Sequence, residues 1–308
     1  IHNIDLLAGF EKYDYTYQYL SGSKQNLYNP LIPEISNAIN EPSVSSYTNK
    51  YSAQGFLARA QYNYDEKYFA SLSFRRDASS RFHPDNRWGN FWSAGASWLI
   101  NKESFMSDVD WVDMLKFKIS YGIQGNDNLG NYYPYQDQYS VVNSNNDFAI
   151  SLDYKGNKDI TWETSHSFNT GIEFDLFGGR LSGGFEYFSR KTTDMLYYRP
   201  VPNSLGYSSY PMNVGSMINK GIELDLHGTI IKTKDIEWGM NFNLTHFKNE
   251  IIELHPDLNG EWISGSYIYR EGESSYQFYM REWAGVDQET GEAMWYKDIK
   301  DQNGNVTG

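Results

Sequence analysis

The sequence predicts an all-β protein, an antiparallel transmembrane β-barrel, on three observations. Apolar and polar residues alternate at period two through most of the 308 residues. Long and short connections take turns between the alternating segments, so an up-and-down meander gathers all short turns at one end and all long loops at the other. The polar parity is rich in Gly, Ser, Asn, Asp and Glu, which suits a wet interior better than an open solvated sheet. No stretch approaches the ~18 consecutive apolar residues of a membrane-crossing helix, and mean hydropathy is −0.65. Those facts exclude helical spans and leave barrels open, because barrel strands are half polar.

The segments follow in order. IHNIDLLAGFE opens the chain with Ile4, Leu6, Ala8 and Phe10 on one parity. A polar stretch over 18–52, holding Pro30, Pro33 and Pro42, reads as a long loop. FLARAQYNYDEKYFASLSF (56–74) reads as two strands around a three-residue turn at 65–67. Phe56, Ala58, Ala60, Tyr62 and Tyr64 lead into Tyr68, Ala70, Leu72 and Phe74 on one face. Arg59, Gln61, Asn63, Ser71, Ser73 and Arg75 fill the other. After 77–90, a strand over 91–100 carries Trp92, Ala94, Ala96, Trp98 and Ile100 on one side. In the connection 101–114, Ser107 and Asp110 have the spacing of a capping box, which predicts one helical turn.

Leu115, Phe117, Ile119, Tyr121 and Ile123 then share a face, and a very long loop covers 124–160. Phe168, Thr170, Ile172, Phe174 and Leu176 oppose Asn169, Gly171, Glu173 and Asp175, and FGGR (177–180) turns the chain into LSGGFEYFSR. Segment 190–215 is long again. Ile222, Leu224 and Leu226 define the next strand, a brief connection at 228–236 follows, and Trp238, Met240, Phe242 and Leu244 define another before a long stretch at 248–275. Both ends read as interior: alternation begins at once without an initiator Met, and Asn303-Gly304 reads as a hairpin turn with no returning strand. Residues 1–308 are therefore expected to be a portion of one β-barrel domain within a longer polypeptide.

A soluble sandwich or propeller would also alternate. Sandwiches do not confine long loops to one end, and no blade-length repeat is present. Aromatics at strand ends (Tyr62, Tyr64, Tyr68, Trp92, Trp98, Trp238) match the interfacial girdles of a membrane barrel.

Chemistry-bearing patterns are sparse. His83-Pro84-Asp85 and His255-Pro256-Asp257 sit in polar loops where Pro and Asp form turns. His2, His166, His227 and His246 lack the i, i+4 pairing of a zinc site. Glu250 and Glu253, or Glu271 and Glu273, read as solvated loop charge rather than as a glycosidase pair. Asp301, Asn303 and Asn305 begin like a calcium loop, but Val306 stands where Gly is required, so a turn is expected. No nucleotide or nucleophile-elbow motif occurs. The expectation is a non-enzymatic protein without cofactor or metal. Cysteine is absent, which removes disulfides and thiolate sites, and a net charge of −13 argues against nucleic acid as a partner.

Loop aromatics are the candidates for ligand binding: Tyr132, Tyr133, Tyr135 and Tyr139 in one loop, Tyr207 and Tyr210 in a second, and Trp262 with Tyr267 and Tyr269 in a third. Flat rings with a polar tip suit the apolar face of a sugar, or a peptide. Packing between loops is the alternative for each of them.

Four blocks carry a resemblance: SFRRDASSRFHPDNRWGNFWSAGASWLINKESFM (73–106), MLKFKISYGIQGNDNLGNYY (114–133), ITWETSHSFNTGIEFDLFGGRLSGGFEYFSRKTTDMLY (160–197) and NVGSMINKGIELDL (213–226). Together they resemble the SusC-like TonB-dependent transporters of Bacteroidota (the SusC/RagA family). Trp92 departs from a usual Pro, and His83 from a common Gly. The resemblance implies an outer-membrane, 22-stranded barrel with an N-terminal plug, contacts to the TonB complex through that plug, and a SusD-like lipoprotein lid. Plug and final strands are not found in these residues. It further implies import of oligosaccharides or peptides, with outer-membrane lipid around the barrel. The alternative is a secreted all-β glycan-binding or glycan-cleaving protein.

Overall fold

In the computed structural model, residues 1–145 and 147–297 are described. Along the chain run β1 (His2–Ser23), β2 (Ser43–Tyr64), β3 (Tyr68–Ser79), β4 (Trp88–Leu99), β5 (Val112–Asn126), β6 (Gln138–Ser144), β7 (Asp147–Tyr154), β8 (Glu163–Leu176) and β9 (Leu181–Thr193). They are followed by β10 (Leu196–Pro200), β11 (Ser209–Asn213), β12 (Ser216–Lys232) and β13 (Glu237–Glu253). Short strands β14 (Glu261–Ser264), β15 (Tyr267–Arg270), β16 (Gln277–Phe278), β17 (Trp283–Val286) and β18 (Ala293–Trp295) close the described part. One antiparallel sheet has the order β1-β2-β3-β4-β5-β8-β9-β12-β13, a pure up-and-down meander.

Tight turns set one rim. Asp65 and Glu66 adopt positive φ between β2 and β3, and the Asn63 side-chain oxygen accepts the Glu66 N–H at 2.8 Å. Between β8 and β9, Phe177, Gly178 and Gly179 all take positive φ, where glycine has no Cβ to clash, and Asp113 accepts the Gly178 N–H at 2.6 Å. Residues 233–236 close β12 to β13 through a Thr233 N–H to Ile236 carbonyl bond of 2.8 Å. The opposite rim carries 24–42, 80–87, 127–162, 194–215 and the chain after 253, with hairpins β6-β7 and β10-β11 inside two of those loops. The expected segregation of short and long connections is observed.

The sheet has no second layer over its apolar face. Among the described residues the buried apolar side chains are few: Ala38, Ala78, Phe82, Phe91, Ile160, Ile251 and Ile268, with Pro134 and Pro211 in the loops. A sandwich would bury one whole parity of its strands against another sheet. Here that parity is bare: Ile4 is 70% exposed, Leu72 56% and Phe242 48%. The other parity holds the polar groups, with Lys116 to Glu173 at 3.1 Å and Lys118 to Glu173 at 2.9 Å and to Glu186 at 2.7 Å. An apolar outer band and a charged, hydrogen-bonded inner wall are what a lipid-embedded barrel wall requires.

The outer band has edges. Near the short-turn rim, Tyr64, Tyr68 and Trp98 stack in series at 6.2 and 6.3 Å, and Glu103 accepts bonds from both the Tyr68 hydroxyl and Trp98 Nε1. Toward the loop rim polar residues enter the outward parity on several strands. Lys12 pairs in register with Gln54, Arg76 with Asn90, Lys191 with His166, and Lys220 with Lys248.

Three expectations need correction. The polar stretch 18–52 is strand at both ends: β1 and β2 pair without a break from His2–Tyr64 to Ser23–Ser43, which leaves a loop of 24–42. Polarity misled here because this ribbon continues past the end of β3, where Ser79 faces Ala53, and its outer face no longer needs to be apolar. The capping box at Ser107 and Asp110 does not form. Two single 3-10 turns, Ile100–Lys102 and Ser104–Met106, come before Ser107 instead, because Glu103 is held by the Tyr68–Trp98 girdle and the chain bends there. The long loop 124–160 contains the β6-β7 hairpin. The calcium-like residues Asp301, Asn303 and Asn305, and the turn at 303–304, lie outside the described residues.

Candidate functional site

The stretch YDYTYQY (13–19) places Tyr13, Tyr15, Tyr17 and Tyr19 on alternate positions of β1. No bulge interrupts this strand, so these rings share the parity of Asn3 and Asp5 and oppose that of Ile4, Leu6 and Phe10. They therefore face the inside, above the level of the apolar band. β2 adds Tyr51 opposite Tyr15 and Tyr47 opposite Tyr19. A ladder results: Tyr13 and Tyr15 lie 6.5 Å apart and nearly parallel, and Tyr19 and Tyr47 stack at 4.9 Å. Tyr13, Tyr15, Tyr17, Tyr19 and Tyr47 remain 37–51% exposed, so each keeps surface open to a ligand. Sequence reasoning missed this ladder. Its signal was a parity switch, from apolar residues on the even positions of 4–10 to tyrosines on the odd positions of 13–19.

The loop 127–162 is fastened across the ladder by one carboxylate. Asp127 accepts bonds from the hydroxyls of Tyr51 (2.9 Å) and Ser79 (2.6 Å) on one oxygen and from Arg81 Nη1 (2.9 Å) on the other. Arg81 lies over the rings of Tyr51 and Tyr132 at 4.6 and 5.6 Å. So held, Tyr132 stacks on Tyr15 at 6.4 Å, and the Tyr133 hydroxyl accepts the Lys50 N–H at 2.8 Å. Burial first and the Asp127 carboxylate second push Tyr51 up to about 12, so its hydroxyl stays a donor. The far end of the loop is seated by Trp162, packed on Phe82 (5.3 Å) and Phe91 (5.2 Å), with Nε1 donating to the Arg87 carbonyl at 3.0 Å.

Between ladder and loop lies a cleft of ≈ 660 Å³ lined by Tyr15, Tyr17, Tyr47, Asn49, Asn131 and Tyr132, with Gly130, Tyr133, Gln138, Tyr154, Tyr198 and Ser209 completing it. Burial raises the Tyr154 phenol, and its hydrogen bond with Tyr198 adds to the effect. Aromatic faces, amides and hydroxyls line the cleft, and no charged side chain does.

Of the residues singled out in the sequence, Tyr132 and Tyr133 line this cleft. Tyr135 packs edge-on against His83 at 5.8 Å, and Tyr139 stands 61% exposed on β6. Tyr207 lies in the turn of the β10-β11 hairpin and Tyr210 on β11. Trp262 is wedged between Tyr197 (5.3 Å) and Tyr269 (4.9 Å), and Tyr267 stacks on Phe278. The structure thus spreads these rings over several loops. The two His-Pro-Asp tripeptides are turns: His255 Nδ1 accepts the Asp257 N–H at 3.1 Å, and Asp257 pairs with Arg199. Among the described residues no His, Asp and Glu side chains converge as a metal site.

Known proteins share this sheet. The family described as TonB dependent receptor-like, beta-barrel, matches residues 2–302. TonB-dependent receptor P39 of Formosa agariphila is 32% identical over 293 residues, covering 93% of this chain and 28% of that protein. TonB-dependent receptor SusC of Bacteroides thetaiotaomicron is 28% identical over 84% of this chain and 26% of its own length. A chain of the RagAB peptide importer, solved in a closed-closed state, superposes with a TM-score of 0.86 at 30% identity, covering 99% of this chain and 34% of that one. The chain thus spans about a quarter to a third of the length of these relatives. Its nine-stranded meander, its bare apolar band and these matches agree: the chain belongs to the TonB-dependent receptor-like β-barrel family.

Proposed function

We propose that this chain is a portion of the barrel of a TonB-dependent outer-membrane importer of oligosaccharides or peptides, working beneath a SusD-like surface lipoprotein. The observation that carries the reading is the exposed tyrosine cleft on the inner face of the wall, above the lipid level and beside the loop rim, where a solute entering the barrel from outside meets it first. Likeness to the RagAB peptide importer supports the peptide part of that range; oligosaccharides and the paired lipoprotein follow from the SusC-like resemblance of the sequence blocks. Plug, TonB contact and the remaining strands belong to other parts of the parent polypeptide. Within the chain's own residues the work is non-enzymatic: aromatic faces and amides bind the solute, and the polar inner wall gives it a wet path. Tyr132 and Tyr133, with Tyr15, Tyr17 and Tyr47, are the first contacts; Tyr135, Tyr139, Tyr207, Tyr210 and Trp262 shape the loops that a lid would meet.

The test uses the full-length parent. It should fractionate with the outer membrane, require detergent, and bring down a second chain under mild detergent when tagged through a terminus. Uptake of its oligosaccharide or peptide should collapse when the proton gradient is removed. A parent that is soluble without detergent sinks the reading in favour of a secreted glycan-binding protein. Repeated recovery without a second chain removes the lid.

A further inference from the structure

The tyrosine cleft is lined without a charge, yet an ion pair is built into the wall behind it. Cations that neighbour its lining residues in sequence are turned away or paired. Lys50, next to Asn49, shares the outward parity of Thr16; Lys155, next to Tyr154, pairs with Asp137 at 2.7 Å; Arg199, next to Tyr198, pairs with Asp257. Arg81 is different, because its guanidinium lies 5.6 Å over the ring of Tyr132, which lines the cleft, and 4.6 Å over that of Tyr51. Asp127 meets it at 2.9 Å, and both side chains are only 14% exposed. Stability alone does not call for this pair, since well-packed apolar residues of like volume often do as well as a buried salt bridge. Nor is the guanidinium saturated: Asp127 takes Nη1, while Nε is buried with no hydrogen-bond partner among the described residues. What Asp127 takes from Arg81 is its charge.

We infer that Asp127 is a specificity-determining residue: by cancelling the charge of Arg81 it reserves the cleft for uncharged solutes and turns away anionic ones, such as sulfated or uronic-acid-bearing oligosaccharides and acidic peptides. Tyr51 and Ser79 donate to the second carboxylate oxygen at 2.9 and 2.6 Å, so the wall itself fills the acceptors of Asp127 and little of either charge is left for a solute. An anion entering the cleft exchanges water for neutral amides, hydroxyls and ring faces of negative potential, with no free cation to offset its desolvation. An uncharged sugar or peptide loses far less on the same step. Its apolar face packs on the rings, and its hydroxyls or amides pair with Asn49, Asn131 and Gln138. Without the Asp127 charge, Arg81 becomes an unpaired cation behind Tyr51 and Tyr132, and the preference shifts toward anions. This inference rests on the importer reading of the cleft.

Charge-dependent labelling of the full-length parent tests it. The parent carries Asn49→Cys in a background without other reactive thiols, and is purified in detergent and freed of any second chain; residues 1–308 contribute no cysteine of their own. Mass spectrometry follows the rates of modification by sulfonatoethyl methanethiosulfonate, an anion, and by hydroxyethyl methanethiosulfonate, its neutral counterpart. The quantity read is the anionic-to-neutral rate ratio, normalised to that of a small uncharged thiol. With Asp127 and Arg81 both in place this ratio should lie at or below one. Asp127→Asn should raise it roughly fivefold, the scale of one unit charge about 8 Å away in a wet cleft. Arg81→Gln should lower it, and Asp127→Asn/Arg81→Gln should bring it back. Loosening of the loop speeds both reagents together and leaves the ratio in place, so the double variant separates charge from structure. A ratio above one with the native pair, a ratio unmoved by Asp127→Asn, or a double variant that keeps the raised ratio overturns the inference. If neither reagent reaches position 49, the cleft is closed to solutes and the importer reading falls; entry of both reagents with one ratio across the variants counts against the role of Asp127 alone.

Discussion

Tyr15 and Tyr132 meet from elements more than a hundred residues apart in sequence, and their stack is the narrowest test of the cleft. Replacing either by Ala in the full-length parent should cost about 0.5–1.5 kcal/mol of solute binding, the scale of one aromatic contact, read by calorimetry. Unchanged affinity for both variants would move the site elsewhere. Asp127 is the residue that holds the stack together. Asp127→Asn keeps the shape but weakens bonds to Arg81, Tyr51 and Ser79, so limited proteolysis within 127–162 should speed up while the sheet stays folded. pH acts here through Tyr51. Its pKa is raised by burial, so its contribution to the rim is fully present below the ordinary phenol value near 10 and is lost as pH rises toward about 12. Protease sensitivity of the loop should therefore appear across that alkaline window and not at pH 7–9.

Individual strands show the two faces most sharply. In β8, Ile172 belongs to the exposed apolar parity, whereas Asn169 lies in the inner wall opposite Ser120. Ile172→Arg should cost about 2–4 kcal/mol near the bilayer midplane, and Asn169→Arg far less, measured by denaturant unfolding in bilayers. Glu173 does not stand ready to receive that new arginine, because Lys116 and Lys118 already bind it; water in the lumen takes that role. On β5, Gly125 shows a different constraint. A Cβ there overlaps the Phe91 ring and crowds Trp162. Gly125→Ala should thus unseat the far end of the long loop and raise its hydrogen exchange, while Gly130→Ala, at an open loop position, reports only the cost of its positive φ.

For the whole molecule, the question is what lies against the apolar parity. A nitroxide on cysteine introduced at 172 should be relaxed by oxygen and shielded from a water-soluble nickel chelate, with the reverse at 169. Shielding of 172 from both reagents would mean that protein, not lipid, covers this face, and the barrel reading would fall. The sheet of nine strands has open edges at β1 and β13. Unpaired edges of this length are hazards in a finished protein, so in the parent both edges are expected to pair with further strands of the same barrel.

Much of this was legible in the chain because β side chains alternate at period two whatever the surroundings. The turn at 65–67, the FGGR turn, the parity of Ile172 against Asn169 and the segregation of loops all follow from local pattern. Local pattern failed where its meaning depends on height above the lipid. The ribbon of 18–23 and 43–52 looked like loop, since an apolar outer face is required only within the bilayer. The capping box at Ser107 lost to the Glu103 girdle contact, a tertiary bond with no local signature. The cleft was the least readable part. Tyr132 and Tyr133 could be suspected as loop aromatics, but their union with Tyr15, Tyr17 and Tyr47 depends on Asp127 and Arg81 meeting across strands. Alternation, a property of each strand alone, thus determined the sheet and its two faces, whereas the level of the lipid and the company each tyrosine keeps were decided by register and loop packing, which join residues far apart in the chain.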